Sequence, residues 1–137
     1  MKFSALKTYI YYPDIKGNLD LPESERLSLE IIRPTAEDHG TLVFTELTQQ
    51  SQKDAKGKDV INTSSRTKFN TSKILRRHVG EIKNMFIENP EDPEKDKQIT
   101  SGEELAVISF SGMFSLIDKI CVEVCSDKLS DTQKKIS

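Results

Sequence analysis

Residues 7–13 read KTYIYYP, a β-branched and aromatic run of the composition strands prefer. Residues 26–34 read RLSLEIIRP, with Leu27, Leu29 and Ile31 alternating against Ser28 and Glu30 at the period of a half-buried strand. The pattern predicts two paired strands. Between them Pro13 and the run Lys16, Gly17, Asn18 break the alternation, and residues 14–25 form a connection longer than the about two to five residues of a tight hairpin. A connection of this size often carries a binding surface.

Pro34 ends the second strand, and Thr35 ahead of Ala36, Glu37 and Asp38 reads as an N-cap with acids in a first turn, which Gly40 limits to about one turn. The run TLVFTELTQ from Thr41 leans to strand. From residue 49 to 68 hydrophobicity nearly vanishes except at Val60 and Ile61, which predicts a polar, flexible or partner-ordered segment. Asn70 or Thr71 then caps a helix over 71–88, because Ile74, Leu75, Val79, Ile82, Met85 and Phe86 recur at three and four residue spacing. NPEDPEKDKQ is a charged loop, and Ser101 with Glu104 forms a capping-box pattern opening a short helix. Met113, Leu116, Ile117, Ile120, Cys121 and Val124 mark a longer one, Ser130 caps a last turn, and DTQKKIS frays.

The resulting expectation is one α+β domain over 1–137: a β-rich part at 1–48 with an antiparallel hairpin or small sheet, a polar flexible segment at 49–69, and a helical half at 70–137. A chain of 137 residues can bury a core without staples. Hydrophobic residues are 35% and charged residues 31%, polar enough to imply long solvated segments.

A formal charge of −2 argues against general duplex binding, but its distribution is uneven. Residues 51–83 hold nine basic against three acidic side chains, a net of +6 that includes Arg76, Arg77 and Lys83, and residues 84–104 hold two lysines against seven acids, a net of −5. Such opposed blocks pair within the fold, between copies as a homo-oligomer, or with a partner. Phe69 is the only aromatic in the basic stretch, so it lacks the stacking platform of single-strand nucleic-acid binders. No apolar run reaches the roughly 18 residues of a membrane span and the first residues lack a signal-peptide core, so a soluble cytoplasmic protein is expected.

No phosphate-cradling glycine loop, metalloprotease helix motif or nucleophile elbow occurs, and no catalytic, cofactor-binding or metal-ligating residue is assigned. His39 beside Asp38 and His78 on the basic helix are the only candidate bases, and Cys121 and Cys125, four apart on one helix face, read as core thiols rather than as half of a zinc site. An enzyme or nucleic-acid-interacting regulator centred on Arg76, Arg77 and His78 stands as the contrasting alternative.

The opening arrangement KTYIYYPDIKGNLDLPESERLSLEIIRPTAED and the ending TSGEELAVISFSGMFSLIDKICVEVCSDKLSDTQKK together resemble the small proteins encoded in tailed-phage tail modules. Within that group the chain looks most like a tail assembly chaperone. The resemblance implies binding of tail tube or tape-measure subunits in the host cytoplasm, with a structural accessory protein retained in the particle as the rival role; such chaperones often have frameshift-extended forms, to which Lys134 and Lys135 are compatible. The partner-binding residues expected are Tyr9, Tyr11 and Tyr12 on the first strand, with Tyr12 exposed at an open strand edge, together with Arg76, Arg77 and Lys83.

Overall fold

The computed structural model describes residues 1–3, 5–89, 91–92, 94–126 and 134–136. Both N-terminal strands form as their alternation requires: β1 (Thr8–Tyr11) pairs antiparallel with β2 (Ser28–Ile32), setting Tyr9 opposite Ile31 and Tyr11 opposite Leu29. These four side chains are buried together, and their neighbours Thr8, Ile10 and Glu30 lie on the half-exposed opposite face. Thr35 caps α1 (Ala36–Leu42) in a reciprocal capping box with Asp38, and the helix runs through Gly40 rather than stopping there.

The helix expected over 71–88 is two elements. α2 (Thr71–His78) is capped by Asn70, and β5 (Val79–Ile87) follows without a break. Strand β5 pairs with β2, Ile31 facing Val79 and Leu29 facing Ile82, so that two residues of β2 span three of β5. A second irregularity falls between Glu81 and Met85, where Asn84 takes φ 60. Bulges return Val79, Ile82 and Met85 to the core face at intervals of three, and a strand so interrupted imitates helical periodicity. This corrects the sequence expectation.

Past the acid-rich connection, β6 (Lys97–Ser101) joins β5, Ser101 caps α3 (Gly102–Ile108), and α4 (Phe114–Val124) buries five of the six apolar positions its stripe predicts, the sixth, Met113, being buried in the turn just before it. A short strand β7 (Lys134–Ile136) lies against β1 where a frayed end is expected, giving the antiparallel order β6-β5-β2-β1-β7. The expected Ser130 cap lies outside the described residues. Helices α2, α3 and α4 pack over one sheet face, enclosing Leu29, Ile31, Ile74, Leu75, Ile82 and Ile120. The chain is α+β, with β-strands leading and helices concentrated later, although β5 and β6 complete the sheet from the second half. Among the described residues no helix is long and apolar enough to cross a membrane.

Candidate protein-interaction surface

The polar segment expected to be flexible is an ordered β arm. Strands β3 (Val43–Lys53) and β4 (Asp59–Phe69) pair through eleven consecutive antiparallel steps, from Val43 opposite Phe69 to Lys53 opposite Asp59, in a two-stranded sheet of their own. Its Thr, Val, Ile and Phe content suits a strand even though it offers no continuous core face. The tip closes on Asp54: the Gly57 N–H donates to the Asp54 carbonyl at 3.0 Å, and Asp54 Oδ1 accepts from the N–H groups of Lys56 and Lys58, both at 2.9 Å. Gly57 stands at φ 78, the left-handed position that ends a three-residue hairpin loop. At the root Leu42 is fully buried, and the Asn70 N–H donates to its carbonyl at 2.8 Å.

Beyond this root both arm faces meet solvent. One carries Thr45, Leu47, Gln49, Ser51, Ile61, Thr63, Ser65 and Thr67, with Lys53 and Asp59 at its tip end; the other carries the Lys68–Glu46 pair at 2.5 Å, with Arg66 beside it. The hydrogen-bonded Lys68 ammonium holds the Glu46 carboxyl below its ordinary range. Leu47 and Ile61 are each 68% exposed and Phe44 50%. In the outer half, residues 47–52 face residues 60–65, and neither strand contributes a charge, proline or glycine there. Among the described residues neither edge of this unbulged ribbon is paired, its outer half lacks the devices by which edge strands avoid pairing, and a lone two-stranded ribbon is marginal in water.

The sequence-nominated residues do not gather into one site. Tyr9, Tyr11 and Tyr12 are buried at 3%, 5% and 8% exposure, and β1 lies between β2 and β7, so neither the exposed Tyr12 nor the open edge at β1 is found. The Tyr9 hydroxyl donates to Glu123 Oε2 at 2.7 Å, joining the first strand to α4. Tyr12 falls just past the strand, where its hydroxyl donates to Glu23 Oε1 at 3.0 Å beneath the Arg26 guanidinium. Arg76 and Arg77 are exposed on α2, Arg76 pairing with Glu103 and donating to Ser72 Oγ at 3.1 Å. Lys83 is exposed on β5, opposite Ser28, rather than on the helix. His78 is buried, its Nδ1–H donating to the Ile32 carbonyl at 2.9 Å, which reads as a structural tie.

The connection between β1 and β2 is organised by buried Asn18. Its Nδ2 donates to the carbonyls of Pro13 and Leu27, each at 3.0 Å, and its Oδ1 accepts from the Leu27 N–H at 2.8 Å. Asn84, at the β5 irregularity, donates from Nδ2 to the carbonyls of Ser24 and Arg26 and so docks this loop on the sheet. Between loop, β5 and α4 lies an apolar pocket of about 470 Å³ lined by Leu21, Leu27, Met85, Phe86, Met113 and Leu116 among others. It is a concave surface open to a partner side chain.

Burial pushes the Tyr11 phenol up to about 12, helped by the Glu123 and Asp14 carboxylates. Tyr9 is raised further above its ordinary 10.0 by burial and by its bond to Glu123. An unfolded tyrosine ionises near pH 10 while these two stay protonated, so above that pH the unfolded chain holds fewer protons and stability falls as pH rises. Urea midpoints should be level below about pH 9 and then decline, each tyrosine removing about 1.4 kcal/mol per pH unit until about pH 12, where Tyr11 titrates in the fold. Tyr11→Phe should remove its own share of the slope and leave those of Tyr9 and of the Cys121 and Cys125 thiols, which burial raises and which act in the same direction. Burial likewise raises the Cys121 thiol to about 11, making it a core group of low reactivity.

No protein-family model, curated protein or solved structure matches the chain.

Proposed function

We propose that this chain is a non-enzymatic, chaperone-like assembly protein that binds tail tube or tape-measure subunits of a bacteriophage in the host cytoplasm and covers their contact surfaces until assembly. The observation that carries the reading is the arm: eleven paired residues per strand project with apolar side chains exposed on both faces and, among the described residues, both backbone edges unpaired. A ribbon of this kind recognises protein by strand addition, backbone groups supplying affinity and alternate side chains specificity. The resemblance of the chain's two ends to tail-module proteins supplies the partner class. Retention in the finished particle is the second reading, favoured by the absence of any bulge or proline that would keep the arm's edges from pairing permanently.

The test is co-expression of the tagged chain with the tube and tape-measure subunits of its own gene neighbourhood, followed by capture and mass spectrometry. Replacing residues 46–66 by Asn-Gly, which closes Thr45 onto Thr67 in a tight turn, should leave the far-ultraviolet spectrum of a folded domain and reduce capture by roughly tenfold or more. Equal capture without the arm, or no capture by the whole chain, would overturn the reading. Finding the protein in purified particles would decide for the retained role.

A further inference from the structure

Strand β6 forms one lateral edge of the five-stranded sheet, and among the described residues only β5 pairs with it. Lys97, Gln98 and Thr100 are exposed along it, and Ile99 points into the core. The connection that enters β6 carries Glu88, Glu91, Asp92, Glu94 and Asp96 against Lys95, a net of −4, whereas the arm carries five basic and three acidic side chains, a net of +2. Three of the arm's basic groups, Lys53, Lys56 and Lys58, sit at its tip.

Direction makes these features complementary. Strand β6 runs away from the acidic connection, and β3 runs from the arm's root towards its lysine-bearing tip. When β3 is laid antiparallel to β6, the tip therefore falls on the acids and the uncharged outer half of the arm falls on the open edge. The arm is exposed along its length, so it does not meet the β6 edge of its own chain. Arm against arm would oppose two net-positive ribbons and leave β6 open.

We infer that the arm of one copy adds as a further strand to the β6 edge of a second copy, with β3 antiparallel to β6, residues 48–52 facing Lys97–Ser101, and Lys53, Lys56 and Lys58 against Glu91, Glu94 and Asp96. Each copy gives one arm and accepts one, so reciprocal exchange closes a two-fold dimer and head-to-tail exchange builds a ring or an open chain. The inference goes beyond the proposed tail-assembly function and does not depend on it.

Mass photometry and sedimentation velocity on the full chain, from sub-micromolar to tens of micromolar at low and moderate salt, test it through a charge exchange. Lys53→Glu, Lys56→Glu, Lys58→Glu forms one variant and Glu91→Lys, Glu94→Lys, Asp96→Lys the other; all six side chains are exposed. The parent chain is expected to form dimers or larger species that salt disperses, with amide exchange at Gln98 and Thr100 slowing as they form. Each variant alone should need roughly tenfold or higher concentration to assemble, and an equimolar mixture should recover the parent's behaviour. A monomer at every concentration, a dimer untouched by either reversal, or a loss that mixing does not restore would overturn the inference. Tail-subunit capture is a separate readout, so either idea can fail alone.

Discussion

Gly102→Ala should lower the thermal midpoint by roughly 10 °C, the consequence of about 3 kcal/mol of overpacking in a domain of this size. A Cβ at residue 102 would stand closer than 3.0 Å to the carbonyl oxygens of Leu75 and Val79 and to the Val79 Cβ. Two of these atoms are backbone, one in α2 and one at the first residue of β5, so no rotamer change relieves the contact. Either α3 retreats and opens the core around Leu105, or the α2–β5 junction moves. Gly40→Ala is the matched control: nothing lies within 4 Å of a Cβ there, and alanine inside α1 should raise stability by about 0.5–1 kcal/mol. Differential scanning of the pair reads close approach against helix propensity. Comparable midpoints for the two variants would refute the packing argument.

Asn18→Ala should cost about 2–3 kcal/mol and open residues 19–26 to limited proteolysis. The amide is the internal bracket of its loop, and its loss strands the carbonyl and the N–H of Leu27 in a largely buried setting and leaves the Pro13 carbonyl with only the Ile15 N–H. Asn18→Asp makes the sharper comparison. It keeps an acceptor for the Leu27 N–H but sets a carboxylate against two carbonyl oxygens, so near pH 7 it should destabilise at least as much as alanine. Parent-like urea midpoints for the aspartate variant would show that the paired donors do not hold the loop.

How far the fold can be read from sequence depends on which force sets each element. The α4 stripe is legible because burial alone fixes it: Met113, Leu116, Ile117, Ile120, Cys121 and Val124 are apolar and all meet the core. Strands β1 and β2 are legible for the same reason at the other period. Strand β5 is not, because its bulges replace the two-residue alternation with a three-residue spacing, and periodicity cannot tell that from a helix continuing out of α2. The signal that was present is Val79-Gly80, a β-branched residue and a glycine at the point where the helix stops.

The β arm is not legible, for a different reason. Low hydrophobicity over residues 49–68 correctly indicates exposure, but exposure does not imply disorder when cross-strand hydrogen bonds supply the order. The readable clues were Val60 and Ile61 set among threonines and the Asp54-to-Gly57 turn between two stretches of equal length. The tyrosines misled in the opposite direction. Their aromatic rings suggest contact with a partner, and here Tyr9 and Tyr12 bind internal carboxylates while Tyr11 packs in the core.

The hydrogen bond between Asn70 and Leu42 at the arm's root also bears on how fast the chain folds. Pairing β2 with β5 requires Ile31 and Val79 to meet across 47 intervening residues. Once the arm has zipped, which needs only local contacts, residues 43–69 no longer count as slack and the open path shrinks to 20 residues. Loop-closure entropy then falls by about 0.8 kcal/mol, roughly a threefold to fourfold gain in the rate of the pairing step if that gain is fully expressed in its transition state. An element that contributes almost nothing to the core thus acts as a temporary splint while the central sheet finds its register.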